Sequence, residues 1–152
     1  MGSARKADAG HRSSQIPRPV SRVLADTSVW VEMFRGRDTP AIRKLGQLLL
    51  DGLVCTNGLV RAEILSGARS KGDYRKLEET LSALTLLEDP PELWDTVART
   101  RYLLARKGIQ AAIADLVVAA CAAHHRKILF TLDHAFPRIR SVLRFELFSP
   151  EH

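Results

Sequence analysis

Cysteine, tryptophan and tyrosine occur only twice each in 152 residues, and aromatics make up just 6% of the chain. So little cysteine excludes a disulfide scaffold. Cys55 and Cys121 each lie inside an apolar run, with no CxxC partner and no histidine at zinc spacing. They read as buried free thiols in a reducing compartment. Long hydrophobic runs are missing too. The longest, residues 111–123 (AAIADLVVAACAA), is too short to cross a bilayer and contains Asp115. The opening residues also lack the apolar stretch of a secretory signal. Together these absences predict a cytoplasmic protein that does not engage a membrane.

What is present is a net charge of +6, from 23 Lys and Arg against 17 Asp and Glu, unevenly placed. Residues 1–22 hold Arg5, Lys6, Arg12, Arg18 and Arg22 against Asp8 alone, a net of +4 that leaves +2 for the rest. This segment has too little apolar surface to offset its ordering entropy, and reads as a flexible basic arm or a non-native extension. Residues 23–150 then form one domain, within the usual ~100–150 residues.

Short apolar runs alternate with helical patterns along that domain. Strands are expected at residues 23–25, 53–55, 84–88, 128–131 and 143–148. Helices are expected near residues 28–35, from Thr39-Pro40 to Gly52, and at 58–68. Another follows a break at Ser70-Lys71-Gly72, a long one runs from Pro90-Pro91 to Gly108, and the most apolar covers 112–124. Trp30 and Trp94 fall on apolar stripes and are expected in the core. The alternation specifies an α/β domain, with a mainly parallel sheet of four to five strands and helices on both faces.

In open parallel sheets, ligands bind beyond the carboxyl ends of the strands. Asp26 directly follows the first strand, and Asp133 comes two residues after the fourth. Glu63 lies within the third helix, while Asp115 is the single charge in its apolar run. Taken alone, Asp26 could cap a helix, Glu63 could be a solvated helix residue beside Arg61 or Arg69, and Asp133 could form a turn. Asp115 is harder to explain that way, because burying an unpaired carboxylate is costly and no Lys or Arg lies between residues 108 and 125. Four carboxylates converging without basic partners require divalent cations. Oxygen-only ligands suit Mg²⁺ or Mn²⁺, ions that act on phosphate esters.

The stretch LADTSVWVEMF resembles the opening of a PIN domain, in particular that of the VapC-type endoribonuclease toxins. RAEIL resembles the second acidic motif of that family, IADLVVAACAAHH the third and LFTLDHAF the fourth, in order over residues 23–148. The resemblance implies a PIN-like three-layer sandwich and Mg²⁺-dependent hydrolysis of RNA phosphodiester bonds, with Mn²⁺ able to substitute. It makes Asp26, Glu63, Asp115 and Asp133 the catalytic acids. Asp26, Asp115 and Asp133 would hold the metal, Glu63 would complete the shell or orient the attacking water, and Ser28 and Thr131 would support the site. It further implies an RNA substrate, a cognate VapB-like antitoxin whose tail enters the active site, and a homodimer.

Arg35, Arg37, Arg61 and Arg69 surround these acids in sequence and could bind RNA phosphates. His134 adjoins Asp133, where a role beside the substrate is open, whereas His124 and His125 suit the C-terminal end of a helix. The family usually carries an acid just before the phenylalanine of its fourth motif, and here Ala135 stands there. That departure argues for one firm metal site and a weaker second. Two alternatives stay within the family: a non-toxin PIN nuclease of RNA processing, and a non-catalytic RNA- or protein-binding PIN-like module. A phosphatase of the haloacid dehalogenase type would want a second Asp where Ser28 stands, and a P-loop enzyme would want GxxxxGK.

Overall fold

The computed structural model describes residues 22–149. The arm expected at residues 1–22 lies outside them, except for Arg22. Strand β1 (Val23–Ala25) leads into α1 (Thr27–Phe34), and α2 (Pro40–Leu50) into β2 (Val54–Asn57). Next come α3 (Gly58–Ser66), α4 (Lys71–Ser82) and β3 (Thr85–Leu87), then α5 (Leu93–Arg106) and α6 (Ile113–His125). The chain ends on β4 (Ile128–Phe130), α7 (Ala135–Ile139) and β5 (Glu146–Leu147).

The strands form one sheet in the order β3-β2-β1-β4-β5, with every neighbouring pair parallel. From β1 the chain steps outward through β2 to β3, then returns across the sheet to β4 on the other side of β1. Around the sheet, α1 packs against α2 and α3, α3 against α4 and α6, and α6 against α5 and α7. This is the three-layer α/β sandwich that the sequence leads one to expect.

Local chemistry explains most of the boundaries. Thr39 accepts a hydrogen bond from the Ile42 amide at 3.3 Å, and Pro40 takes the first helical position of α2. Gly36 ends α1 at φ +71 and Gly52 follows α2 at φ +68, both in the left-handed region that favours glycine. The break before α4 falls at residues 67–70, so Lys71 and Gly72 already belong to the helix. Ser70 caps α4 by accepting from the Asp73 amide at 3.0 Å, and Asp73 accepts in return from the Arg69 amide at 2.9 Å.

The core centres on β1 and β4. Leu24, Leu129, Trp30, Leu45 and Leu116 are completely buried, and Phe136 and Ile139 seal one end. Cys55 and Cys121 are buried free thiols, and burial pushes their pKa values to about 12 and about 11. Trp94 departs from expectation: it is 66% exposed. The buried stripe of α5 is Leu93, Val97, Thr100 and Leu104, which turns Trp94 outward. Ile113, in the helix that is the most apolar by sequence, is 45% exposed at the start of α6. Strand β5 is two residues long rather than six, and α7 is an additional helix. Among the described residues no helix is long and apolar enough to cross a membrane.

Candidate active site

The order of the strands reverses between β1 and β4, and the crevice beyond their carboxyl ends is where such sheets bind ligands. Asp26 sits at the end of β1 and is only 5% exposed. It is also the N-cap of α1, accepting from the Ser28 amide at 3.1 Å. Its Oδ1 accepts from Ser28 Oγ at 2.5 Å and its Oδ2 from Thr131 Oγ1 at 2.6 Å. Burial raises the Asp26 pKa above its ordinary value, and these donors oppose the rise.

The same hydroxyls hold the loop after β4. Ser28 Oγ accepts from the Leu132 amide at 2.9 Å and Thr131 Oγ1 from the Asp133 amide at 3.0 Å. Asp133 is exposed, and its Oδ1 accepts from the Ala135 amide at 2.9 Å, fixing the turn into α7. Ser28 and Thr131 thus tie the two strand ends together.

Asp115 occupies the first turn of α6 and is half-buried. Its pKa is raised to about 6, first by burial and then by the charges of Asp133, Asp26 and Glu63. The other three acids singled out in the sequence therefore all stand within electrostatic reach of Asp115, although the four come from separate elements. Like-charge repulsion of this kind is relieved by a bound cation. Among the described residues no three Asp, Glu, His or Cys side chains already close on one point as a metal cage. The donor set is nevertheless all oxygen and surplus in negative charge, which fits a hard divalent ion that keeps several of its waters.

Glu63 projects from α3 into a cleft of about 700 Å³ between α1, α3 and α4. Val31, Phe34, Arg35, Ile64 and Arg69 line it as well. Of the four arginines proposed from sequence, Arg35 and Arg69 thus reach the region of Glu63. Arg35 also lies 3.4 Å from Glu32, and Arg37 lies 3.6 Å from the same carboxylate. Arg61 turns the other way, toward Ser82 at 3.3 Å and Glu78 at 4.0 Å on α4. His124 and His125 end α6, with His125 Nε2 2.8 Å from the carbonyl of Glu88. His134 is exposed beside Asp133.

One residue at this sheet edge escapes a reading of charges. Asn57, at the carboxyl end of β2, is only 1% exposed and caps α3 by accepting from the Val60 amide at 2.9 Å. The signal that marks it is an asparagine directly before a helix start.

Comparison with known proteins agrees with this geometry. The PIN domain matches residues 23–142. Ribonuclease VapC21 of Mycobacterium tuberculosis is 32% identical over 109 residues, covering 69% of this chain and 79% of that protein. Ribonuclease VapC17 of the same organism is 31% identical over 122 residues, covering 78% of this chain and 87% of its own. A DNA-bound VapBC of Salmonella typhimurium shares the fold, with a TM-score of 0.68 at 22% identity over 82% of this chain and 96% of that one. The chain belongs to the PIN-domain family, in the branch of the VapC ribonucleases.

Proposed function

We propose that this chain is a divalent-metal-dependent endoribonuclease, the toxin of a toxin–antitoxin pair acting in the cytoplasm. One observation carries the reading: three carboxylates from separate elements, Asp133, Asp26 and Glu63, act on Asp115 beside the sheet's switch point, and each raises its pKa. Asp26, Asp115 and Asp133 would hold Mg²⁺ or Mn²⁺. When bound, such an ion activates water and neutralises charge on a scissile phosphate.

The chain's own residues do the rest. Ser28 and Thr131 fix the orientation of the Asp26 carboxylate. Glu63, exposed at the edge of the cleft, orients the attacking water by accepting a hydrogen bond from it. An acidic centre repels RNA, so affinity comes from cations at its rim. Arg35 and Arg69 supply phosphate contacts in the cleft, and such contacts hold the strand without reading its sequence. The presence of all four acids favours an enzyme over a non-catalytic binding module.

The partners follow from the relatives, whose solved structures include VapBC complexes. This chain would bind a VapB-like antitoxin whose tail enters the active site, and would pair with a second copy of itself. Incubation with total RNA, with Mg²⁺ or with EDTA, followed by mapping of the cut ends, tests the activity. Discrete cuts that need Mg²⁺ support it, and intact RNA in both arms refutes it.

A further inference from the structure

Asn57 does more at the sheet edge than start a helix. In the pairing of β1 with β2, Leu24 lies opposite Cys55, so Asn57 stands level with Asp26. Its Oδ1 caps α3, the helix that carries Glu63 six residues later. Its Nδ2 is buried with no oxygen or nitrogen acceptor among the described residues. That amide lies beside the thiol of Cys121 on α6, six residues beyond Asp115. A thiol is a weak acceptor, so the amide is held there by packing rather than by a strong bond. Serine, threonine or aspartate would all cap α3. Serine and threonine carry only a shorter hydroxyl and aspartate no donor, so among these caps only asparagine places an amide N–H group toward α6.

We propose that Asn57 is a positioning residue, setting the separation of α3 from α6 and with it that of Glu63 from Asp115. The inference rests on the reading of the four acids as a cation site, and it deepens that reading by naming what holds them at the spacing a cation needs.

The test uses N57S, which keeps a cap for the Val60 amide but replaces the side-chain amide with a shorter hydroxyl, beside N57A, which removes both cap and amide. Mn²⁺ binding is measured by calorimetry on the wild type, N57S, N57A, C121S and, as reference, D26N. The expectation is a native melting transition for N57S with Mn²⁺ affinity weakened about tenfold, the range in which a residue behind a metal ligand acts. C121S, which offers the amide a better acceptor, retains wild-type affinity. N57S binding as tightly as the wild type overturns the proposal.

A second measurement needs no metal. Spin labels at positions 62 and 112, both exposed alanines, report the distance from α3 to the start of α6. The native thiols are buried, which favours labelling at the introduced cysteines. N57S should shift or broaden that distance, and an unchanged distribution overturns the proposal. If the wild type and D26N bind Mn²⁺ alike, the cation reading itself fails, and the label distance still decides the role of Asn57.

Discussion

Thr131 donates a hydrogen bond to Asp26 at 2.6 Å across 105 residues of sequence, joining the carboxyl ends of β1 and β4. The hydroxyl also receives the Asp133 amide at 3.0 Å, so one side chain orients two candidate metal ligands. T131V keeps the shape and removes both bonds. Cleavage and Mn²⁺ affinity are expected to fall about 10–100-fold with the fold retained. Calorimetry and a cleavage time course check this.

D26N and D115N should each abolish cleavage of total RNA while leaving the circular dichroism spectrum native. Asp26 caps α1 through its carboxylate oxygens, and asparagine is an equally good cap, so the helix survives the change. Full activity in either variant would remove these acids from the mechanism.

Stability of the metal-free protein should decline as pH rises from ~4 to ~6. Asp115 titrates near 6 in the folded chain, above its ordinary value, so the native state binds the proton more tightly than the unfolded state does. The penalty for its charge is absent below the unfolded pKa and complete above the folded one. D115N should flatten that slope. At pH 7 in EDTA it should raise Tm by ~2–4 °C, the effect of ~1 kcal/mol after allowing for partial solvation. Thermal melts across the pH range give the answer.

Among the arginines, position rather than number should decide the effect. R35A and R69A, which change the cleft beside Glu63, should raise KM with kcat little changed and lower the salt slope of binding by ~0.7 each. R61A should do little, because its guanidinium points to Ser82 and Glu78. Filter binding of a single-stranded RNA at several salt concentrations separates the two groups.

Much of the fold was legible because its boundaries are set locally. Thr39-Pro40 announces α2, Gly36 closes α1, and Val23-Leu24-Ala25 can only be a buried strand. Helix α7 was not legible: it has five residues with Pro137 in the third, where a first turn tolerates a ring that a longer helix would not. Trp94 misled because Leu93 and Trp94 are adjacent, and which of the two faces the core depends on how α5 lies against α6. The acids stood out by type and placement. Their company did not: that Arg61 turns toward α4, and that Asn57 spans from α3 to Cys121, are products of packing.

The pairing of β1 with β4 also governs when the molecule becomes complete. Val23, Leu24 and Ala25 find their partners in Ile128, Leu129 and Phe130, more than a hundred residues later. Asp26 and Glu63 leave the ribosome early, whereas Asp115 and Asp133 belong to the last part of the chain. A nascent or truncated product therefore carries half of the acids and lacks the strand that Asp26 leans on. Non-local pairing of this kind forms late in folding. The topology therefore ties the assembly of the site to synthesis of nearly the whole domain, because the acids come together only once both β1 and β4 are present.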